Sequence, residues 1–315
     1  MEAIGVDLGG TKMLVGVVDS DRRVLYRSAA PSLGLTQDQL LATLEAELRR
    51  AMEERSEATV AGLGIPCTID RRRGVAVMAV NLDLAGVAVG EVLTDRLGLP
   101  VFIDNDANVA VLAEHRFGAA RGATNAVMLT IGTGIGGGLL LDGRLYRGSS
   151  GAGAELGHMV IEADGPRCQG NCPNRGCLEA LASGTAIARE GREAAVASPD
   201  SALGRELTSG AELDGRAVTD AALAGDETAR GVLELIGRRI GVGLSSLANA
   251  FDPDVIVIGG GAIAAGDLLV APARAELAAR ALPPMNRTAV AAAALGPDAG
   301  MVGAATMAML ELEAD

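Results

Sequence analysis

The chain carries one pattern twice, and that repeat constrains most of what it can fold into. Ala3-Ile4-Gly5-Val6 is an apolar run that ends in Asp7-Leu8-Gly9-Gly10-Thr11-Lys12 and resumes as Met13-Leu14-Val15-Gly16-Val17-Val18-Asp19. A second apolar run, Ala126 to Ile131, is followed by Gly132-Thr133-Gly134, another apolar stretch from Ile135 to Leu141, and Asp142-Gly143. With an offset of 123 residues, Gly9 falls on Gly132 and Asp19 on Asp142. Each copy predicts two strands joined by a glycine-rich turn, and Val24-Leu25-Tyr26 adds a third strand to the first. The echo points to two related halves, and a length of 315 residues is long for one core.

Glycine turns let backbone N–H groups reach phosphate oxygens. Asp7, at a strand end beside Gly9, Gly10 and Thr11, suits a carboxylate facing a phosphate-bound cation. Lys12 reads either as a point charge on a phosphate or as a solvated lysine. Gly132, Gly134 and Gly137 also satisfy Gly-x-Gly-x-x-Gly, but the dinucleotide reading requires a helix to follow, and Gly138 to Gly143 reads as strand and turn. No Gly-x-x-x-x-Gly-Lys-Ser/Thr occurs, which excludes a P-loop.

Between the two copies, Leu40, Leu41, Leu44, Leu48 and Met52 give Thr36 to Glu54 a helical spacing. Thr59 to Ile65 and Val75 to Asn81 read as strands and Glu91 to Leu97 as a helix. The strand Val101-Phe102-Ile103 runs into Asp104-Asn105-Asp106-Ala107-Asn108, which opens a helix over Val109 to Arg116. Polar residues at the carboxyl end of an α/β strand are where ligands bind. A plain helix cap accounts for one of these four polar residues and not for all of them. Beyond the second copy, Leu178 to Arg192, Ala217 to Ala224 and Glu227 to Ala250 read as helices. Asp254 to Ile258 is a buried strand, and the turn at Gly259-Gly260-Gly261 suits the adenine and ribose end of a nucleotide. The closing helix, Gly300 to Leu310, is expected to dock on one of the domains.

Three of the four cysteines and one of the two histidines share a single window, as His158, Cys168, Cys172 and Cys177, flanked by Glu155 and Glu179. Thiolate sulfur and neutral imidazole are favoured zinc ligands, and Gly170, Asn171, Pro173, Asn174 and Gly176 are turn formers that let a short loop wrap one ion. A disulfide with a spare thiol would need an oxidising compartment, and a redox pair would more naturally be Cys-x-x-Cys. A closed shell of three sulfurs and one imidazole leaves no position for water, so the metal would be structural. Cys67 reads as a small buried hydrophobe.

Composition narrows the function further. Hydrophobic residues make up 49% but aromatics only 2%, so the cores must be packed from Ala, Val, Leu and Ile. The net charge of −13 disfavours nucleic acid and anionic membranes as partners. No apolar run approaches the ~18 residues needed to span a bilayer, and a cytoplasmic protein is expected.

Together these residues resemble the ROK family of sugar kinases, within the actin, hexokinase and Hsp70 superfamily, over essentially the whole chain. Asp7-x-Gly-Gly-Thr-Lys resembles its first phosphate motif, Leu129 to Gly138 its second, and Val255 to Gly261 its adenosine motif. Asp104 to Asn108 resembles its sugar and catalytic motif. Glu155-x-x-His158 and Cys177-x-Glu179 resemble the sugar-contacting residues around its zinc loop. The resemblance implies a two-domain actin-like (ribonuclease H-like) α/β fold with a cleft between the domains. It implies Asp106 as general base, with Asn105, Glu155, His158, Glu179 and Asn81 contacting sugar hydroxyls. Asp7, Gly9, Gly10, Thr11, Lys12, Gly132, Thr133, Gly134, Gly260 and Gly261 would hold ATP with Mg²⁺. His158 would bind zinc with one ring nitrogen and a sugar hydroxyl with the other.

Two departures stand out: Cys168 and Cys172 are further apart than in the usual loop, with Pro173 in place of a glycine, and Cys67 follows Pro66 where a glycine is common. The implied reaction is transfer of the terminal phosphate of ATP to the 6-hydroxyl of a hexose, with glucose the leading acceptor. N-acetylmannosamine, N-acetylglucosamine, mannose or fructose are alternative acceptors, and polyphosphate an alternative donor. A repressor would need an added DNA-binding helix-turn-helix, whereas this chain starts in its first strand. A non-catalytic sugar sensor would not be expected to keep Asp106. The expected domains are 1–118 with the helix 300–315, and 119–299 with the zinc loop, in a homodimer or homotetramer. Loss of zinc is expected to act on sugar binding first and to weaken donor binding less, because both hairpins lie outside the loop.

Overall fold

The computed structural model describes residues 1–70, 73–79 and 82–314. Asn81 lies outside them. In chain order, β1 (Glu2–Leu8), β2 (Lys12–Asp19) and β3 (Val24–Pro31) precede α1 (Gln37–Glu54) and β4 (Ala58–Ile65). Short strands β5 (Cys67–Asp70), β6 (Val75–Ala79) and β7 (Ala85–Val87) lead to α2 (Val89–Leu97), β8 (Val101–Asn105) and α3 (Asp106–Phe117). The second copy supplies β9 (Ala126–Ile131), β10 (Ile135–Leu141) and β11 (Arg144–Leu145). A helical stretch follows, α4 (Leu178–Ala182), α5 (Gly184–Ala197), α6 (Ala202–Thr208), α7 (Gly215–Leu223) and α8 (Glu227–Phe251). The chain ends with β12 (Val255–Gly259), α9 (Asp267–Arg280), β13 (Ala289–Ala292) and α10 (Ala299–Ala314).

The sequence echo reappears as topology. One five-stranded sheet has the order β3-β2-β1-β4-β8 and another the order β11-β10-β9-β12-β13. In the first, β1 pairs antiparallel with β2 and parallel with β4, which is parallel to β8. In the second, β12 is parallel to both β9 and β13. Parallel strands buried on both faces read as continuous apolar runs, which is why β9 and β12 carry no polar alternation. β5, β6 and β7 form a small separate sheet.

Two compact units result, one of residues 1–123, 138–154 and 294–315, the other of 124–137 and 155–293. The segment 138–154, expected wholly in the larger domain, packs with the first unit. Gly138 explains part of this: a Cβ there would lie 2.6 Å from the Ala107 carbonyl oxygen, so only glycine lets β10 approach α3 so closely. Arg147 supplies the rest through ion pairs described below.

In the first unit, the apolar faces of β1, β2, β4 and α1 form one core with Ile4, Val6, Leu44, Leu48 and Leu63 fully buried. The small-residue helix α10 covers the other face of the sheet. A Cβ on Gly62 of β4 would sit 2.0 Å from the Ala304 carbonyl oxygen, so helix and strand meet backbone to backbone. Close packing of small residues thus replaces the missing aromatic volume. We expect Gly62→Ala to cost about 1–3 kcal/mol, as overpacking of a tight core does. Urea denaturation with an unchanged slope checks it.

The long helix expected over Leu178 to Arg192 is two helices broken at Ser183. The Ser183 hydroxyl accepts from the Ala186 N–H and starts α5, while the Gly184 N–H is drawn 2.7 Å from the Gly132 carbonyl oxygen. That long-range bond competes with the local helical one and wins. The short helix α6 and the strands β5, β7 and β13 carry patterns too short to stand out in the sequence.

Candidate active site and metal centre

In the first unit, Asn105 is the N-cap of α3, and its side-chain oxygen accepts from the Ala107 and Asn108 N–H groups at 2.9 and 3.3 Å. Those bonds engage the oxygen, and the amide Nδ2 donates to the Cys67 carbonyl oxygen at 3.4 Å. Asp106 is the first helical residue, with Oδ1 2.9 Å from the Ala107 N–H. A carboxylate belongs there electrostatically, since helix N-termini carry partial positive charge. Burial pushes the Asp106 carboxyl above its ordinary proton affinity, and the N–H donors at the helix start pull it part of the way back.

Asp7, at the end of β1, feels the same field. Burial foremost, and then the Asp106 charge, raise its pKa from 3.8 to about 6 against the opposing charge of Lys12. The fold therefore brings the end of β1 and the start of α3 within electrostatic reach of each other. The sequence pattern alone did not show that pairing. Two adjacent carboxyls with raised proton affinity mark a place where charge is handled, and one that a cation would relieve.

Asp104 faces away from this work. Its side chain is 3% exposed and pairs with Arg147, Nε to Oδ2 at 2.5 Å. Asn108 Nδ2 and the Asn105 N–H both donate to Asp104 Oδ1 at 2.8 Å. The second arm of Arg147 reaches Glu311 Oε1 of α10 at 2.9 Å. Arg147 thus ties the residue before Asn105 and Asp106 to the last helix. Sequence reasoning missed it, because a single arginine in a small-residue linker gives no periodic signal. Arg147→Met should cost about 3–5 kcal/mol, the penalty for a buried carboxylate stripped of its partner. Urea denaturation measures it, and Asp104→Asn added to Arg147→Met should restore part of the loss.

The second unit holds the thiol cluster. His158, Cys168, Cys172 and Cys177 place one ligand atom each within 4.8 Å of one another. Cys168 Sγ lies 3.5 Å from His158 Nδ1, and Cys172 Sγ lies 3.9 Å from Cys177 Sγ. A tetrahedral Zn²⁺ with bonds of ~2.3 Å to sulfur and ~2.1 Å to nitrogen separates its ligand atoms by roughly 3.5–3.8 Å, so the spacing fits. The wider gap between Cys168 and Cys172 is absorbed by a turn, closed by the Cys172 N–H donating to the Gln169 carbonyl at 3.3 Å. Isolated bridges Val160 to Cys177 and Arg167 to Arg175 clamp the loop. His158 ends a short 3₁₀ turn, Leu156–His158, that begins directly after Glu155. With Nδ1 toward the sulfurs, Nε2 is the ring nitrogen left for another partner.

The glycine turns keep their expected form. In the first, the Gly9 N–H donates to the Lys12 carbonyl at 3.0 Å and Ser32 Oγ donates to the Gly9 carbonyl at 2.6 Å, with Thr11 and Lys12 exposed. In the second, the Gly132 N–H donates to the Gly134 carbonyl at 2.9 Å, and β10 follows as a strand, which removes the dinucleotide reading. Glu179, the first-turn acid of α4, accepts the Ile135 N–H at 2.8 Å through Oε2. At the third turn, Gly260 has φ +84° and its place for a Cβ lies 2.4 Å from the Ile131 carbonyl oxygen. The segment after it is a 3₁₀ helix, Gly261–Ala265, before α9 begins.

Among the described residues, no helix is long and apolar enough to cross a membrane. The family model described as "ROK family" matches residues 3–311. A glucokinase of Thermotoga maritima is 38% identical, with 98% of this chain and 97% of the relative covered. A glucokinase of Streptomyces coelicolor is 36% identical over 97% of this chain and 96% of the relative. The crystal structure of a ROK family glucokinase from Streptomyces griseus in complex with glucose and AMPPNP is similar at a TM-score of 0.87 and 34% identity, covering 98% of this chain and all of that one.

Proposed function

Because this chain belongs to the ROK family, we propose that it is a glucokinase, transferring the terminal phosphate of ATP to the 6-hydroxyl of glucose. Its fold is the actin-like ATPase fold of the ROK glucokinase structures. The observation that carries the reading is near-complete coverage in both directions by glucokinases, one of them solved with glucose and AMPPNP.

The residues supply what phosphoryl transfer needs, which is positioning, charge stabilisation and one proton acceptor. The sugar oxygen forms a bond to the terminal phosphorus, the bond to the bridging oxygen of ADP breaks, and the hydroxyl proton passes to an Asp106 carboxylate oxygen. Burial keeps that carboxylate basic enough for the task. Asn105 Nδ2, Glu155, His158 Nε2 and Glu179 orient sugar hydroxyls in this reading, with Asn81 a further candidate. The turns at Gly9-Gly10-Thr11-Lys12 and Gly132-Thr133-Gly134 present N–H groups to the phosphates, and Gly260-Gly261 flank the nucleoside. Asp7, buried beside Asp106, fits a Mg²⁺ ligand, and the metal would offset phosphate charge. His158, Cys168, Cys172 and Cys177 fit a structural Zn²⁺ that orders the loop between Glu155 and Glu179.

An ADP-release assay over glucose, mannose, fructose, N-acetylglucosamine and N-acetylmannosamine, repeated with polyphosphate, tests the proposal. The highest kcat/KM should fall to glucose with ATP. A tenfold preference for another sugar or for polyphosphate would replace that assignment. A homodimer or homotetramer in the cytoplasm belongs to the same reading, and sedimentation showing only monomer would remove the first part.

A further inference from the structure

We infer that the cysteine loop and the start of α5 form the positioning element of the second glycine turn. On this inference the metal centre governs nucleotide affinity as well as sugar affinity. This rests on the proposed reading of Gly132-Thr133-Gly134 as a phosphate grip. Two successive carbonyls of that turn are bonded to the start of α5. The Gly132 carbonyl accepts the Gly184 N–H at 2.7 Å, and the Thr133 carbonyl accepts the Thr185 hydroxyl at 2.9 Å. Gln169, between Cys168 and Cys172, donates from Nε2 to Ser183 Oγ at 2.9 Å and reaches the Thr133 carbonyl at 3.5 Å.

The consequence follows from the planarity of the peptide group. In a trans peptide the C=O and the next residue's N–H point in opposite directions. Holding the carbonyls of Gly132 and Thr133 toward α5 therefore aims the N–H groups of Thr133 and Gly134 the other way. Two successive N–H groups aimed to one side make an anion-binding concavity, and carbonyl oxygens turned into it would repel a phosphate. Glu179 fixes the far end: its Oε2 takes the Ile135 N–H, and a Cβ on Gly134 would lie 2.3 Å from the same oxygen. Its Oε1 lies 3.9 Å from Cys168 Sγ. Glu179 thus spans from the metal loop to the turn, with one oxygen committed before any sugar arrives. Thr185, Gln169 and Glu179 are positioning residues for the donor. The expectation that metal loss weakens donor binding less than sugar binding is drawn from the turn lying outside the loop in sequence, and it leaves these cross-links out of account.

Calorimetry of AMPPNP with Mg²⁺, without sugar, tests this on the full chain. Thr185→Val removes the hydroxyl donor and keeps the shape, so Kd should rise about fivefold, the scale of one hydrogen bond. Adding Gln169→Met should bring the rise to about tenfold or more, with glucose Kd and zinc content unchanged. Cys172→Ser should weaken both ligands. Gly132→Ala probes the phosphate side of the turn by itself, since a Cβ there meets no protein atom within 4 Å. If Gly132→Ala weakens AMPPNP while the Thr185→Val/Gln169→Met variant binds it as wild type does, the positioning role is wrong and the phosphate reading stands. If Gly132→Ala also leaves AMPPNP affinity unchanged, the turn does not grip phosphate and both readings fall.

Discussion

Asp106→Asn is expected to lower turnover by about 100-fold or more while leaving glucose affinity nearly unchanged. The substitution keeps the shape and the bond from the Ala107 N–H, since an amide oxygen accepts as a carboxylate does. What it removes is the proton acceptor, and general-base assistance contributes about 10²–10⁴-fold. The same variant carries a second readout. The Asp106 charge is one of the causes that raise the Asp7 pKa to about 6, after burial. Neutralising position 106 should therefore lower the Asp7 pKa, yet leave it above the ordinary value because burial remains. Carbon-13 NMR of the aspartate carboxyls measures that. Both acids bind protons more tightly folded than unfolded, so Asp7 takes stability away from the free protein as pH rises from 3.8 to about 6, and Asp106 acts in the same direction. Activity runs the other way, with kcat/KM falling as pH drops below about 6 and Asp7 becomes protonated, and protonation of Asp106, also raised by burial, lowers it in the same direction. If Asp104→Asn abolishes turnover and Asp106→Asn spares it, the base has been assigned to the wrong carboxylate.

Loss of the metal ranks second in expected effect. Freshly purified protein should carry about one equivalent of zinc, and Cys172→Ser should lose most of it, because a three-ligand remnant of a closed structural site binds far more weakly. The loop from Glu155 to Glu179 is held by the cluster and two isolated bridges, one of which includes Cys177 itself. Its loosening should raise the glucose KM by about tenfold or more, the scale of losing a supporting shell. The melting temperature should also fall, by ~2 °C or more for each kcal/mol in a chain of this size. Cys67→Ser is the control. Cys67 lies in the first unit on β5, packed in that unit's core, and zinc content should not change. Less than about a third of an equivalent of zinc in fully active protein would end the structural-zinc account, since a closed site of this kind binds its metal as part of folding.

Much of the fold was legible because its main signals are local. The hairpin Ile4 to Asp19 is an apolar run, a glycine turn and another apolar run, and strand pairing from Leu8 to Met13 follows directly. The start of α3 was legible as well, since Asn105 has the chemistry of a cap. What stayed hidden depends on partners far away in the chain. Ser183 breaks a helix that its own neighbours would continue, and the bond from Gly184 to Gly132 decides the matter. Asp104 sits in the same polar run as Asn105 and Asp106, but its carboxylate is held by Arg147, 43 positions on. Residues 138–154 join the first unit through Gly138 against Ala107 and Arg147 against Asp104. The four metal-binding candidates came together because rare residue types with short spacings leave few arrangements. The coupling of that loop to the second glycine turn runs through backbone carbonyls, which carry no sequence signature.

The central claim is that this chain phosphorylates glucose at its 6-hydroxyl with Asp106 taking the proton. The most direct test is phosphorus and carbon NMR of the product formed from ¹³C-glucose and Mg²⁺–ATP, run in parallel on wild type and Asp106→Asn. The account predicts glucose 6-phosphate and ADP in equal amounts from wild type, and about a hundredth of that rate or less from the variant. Phosphate on another hydroxyl, ADP without any sugar phosphate, or equal rates from the two proteins would contradict it.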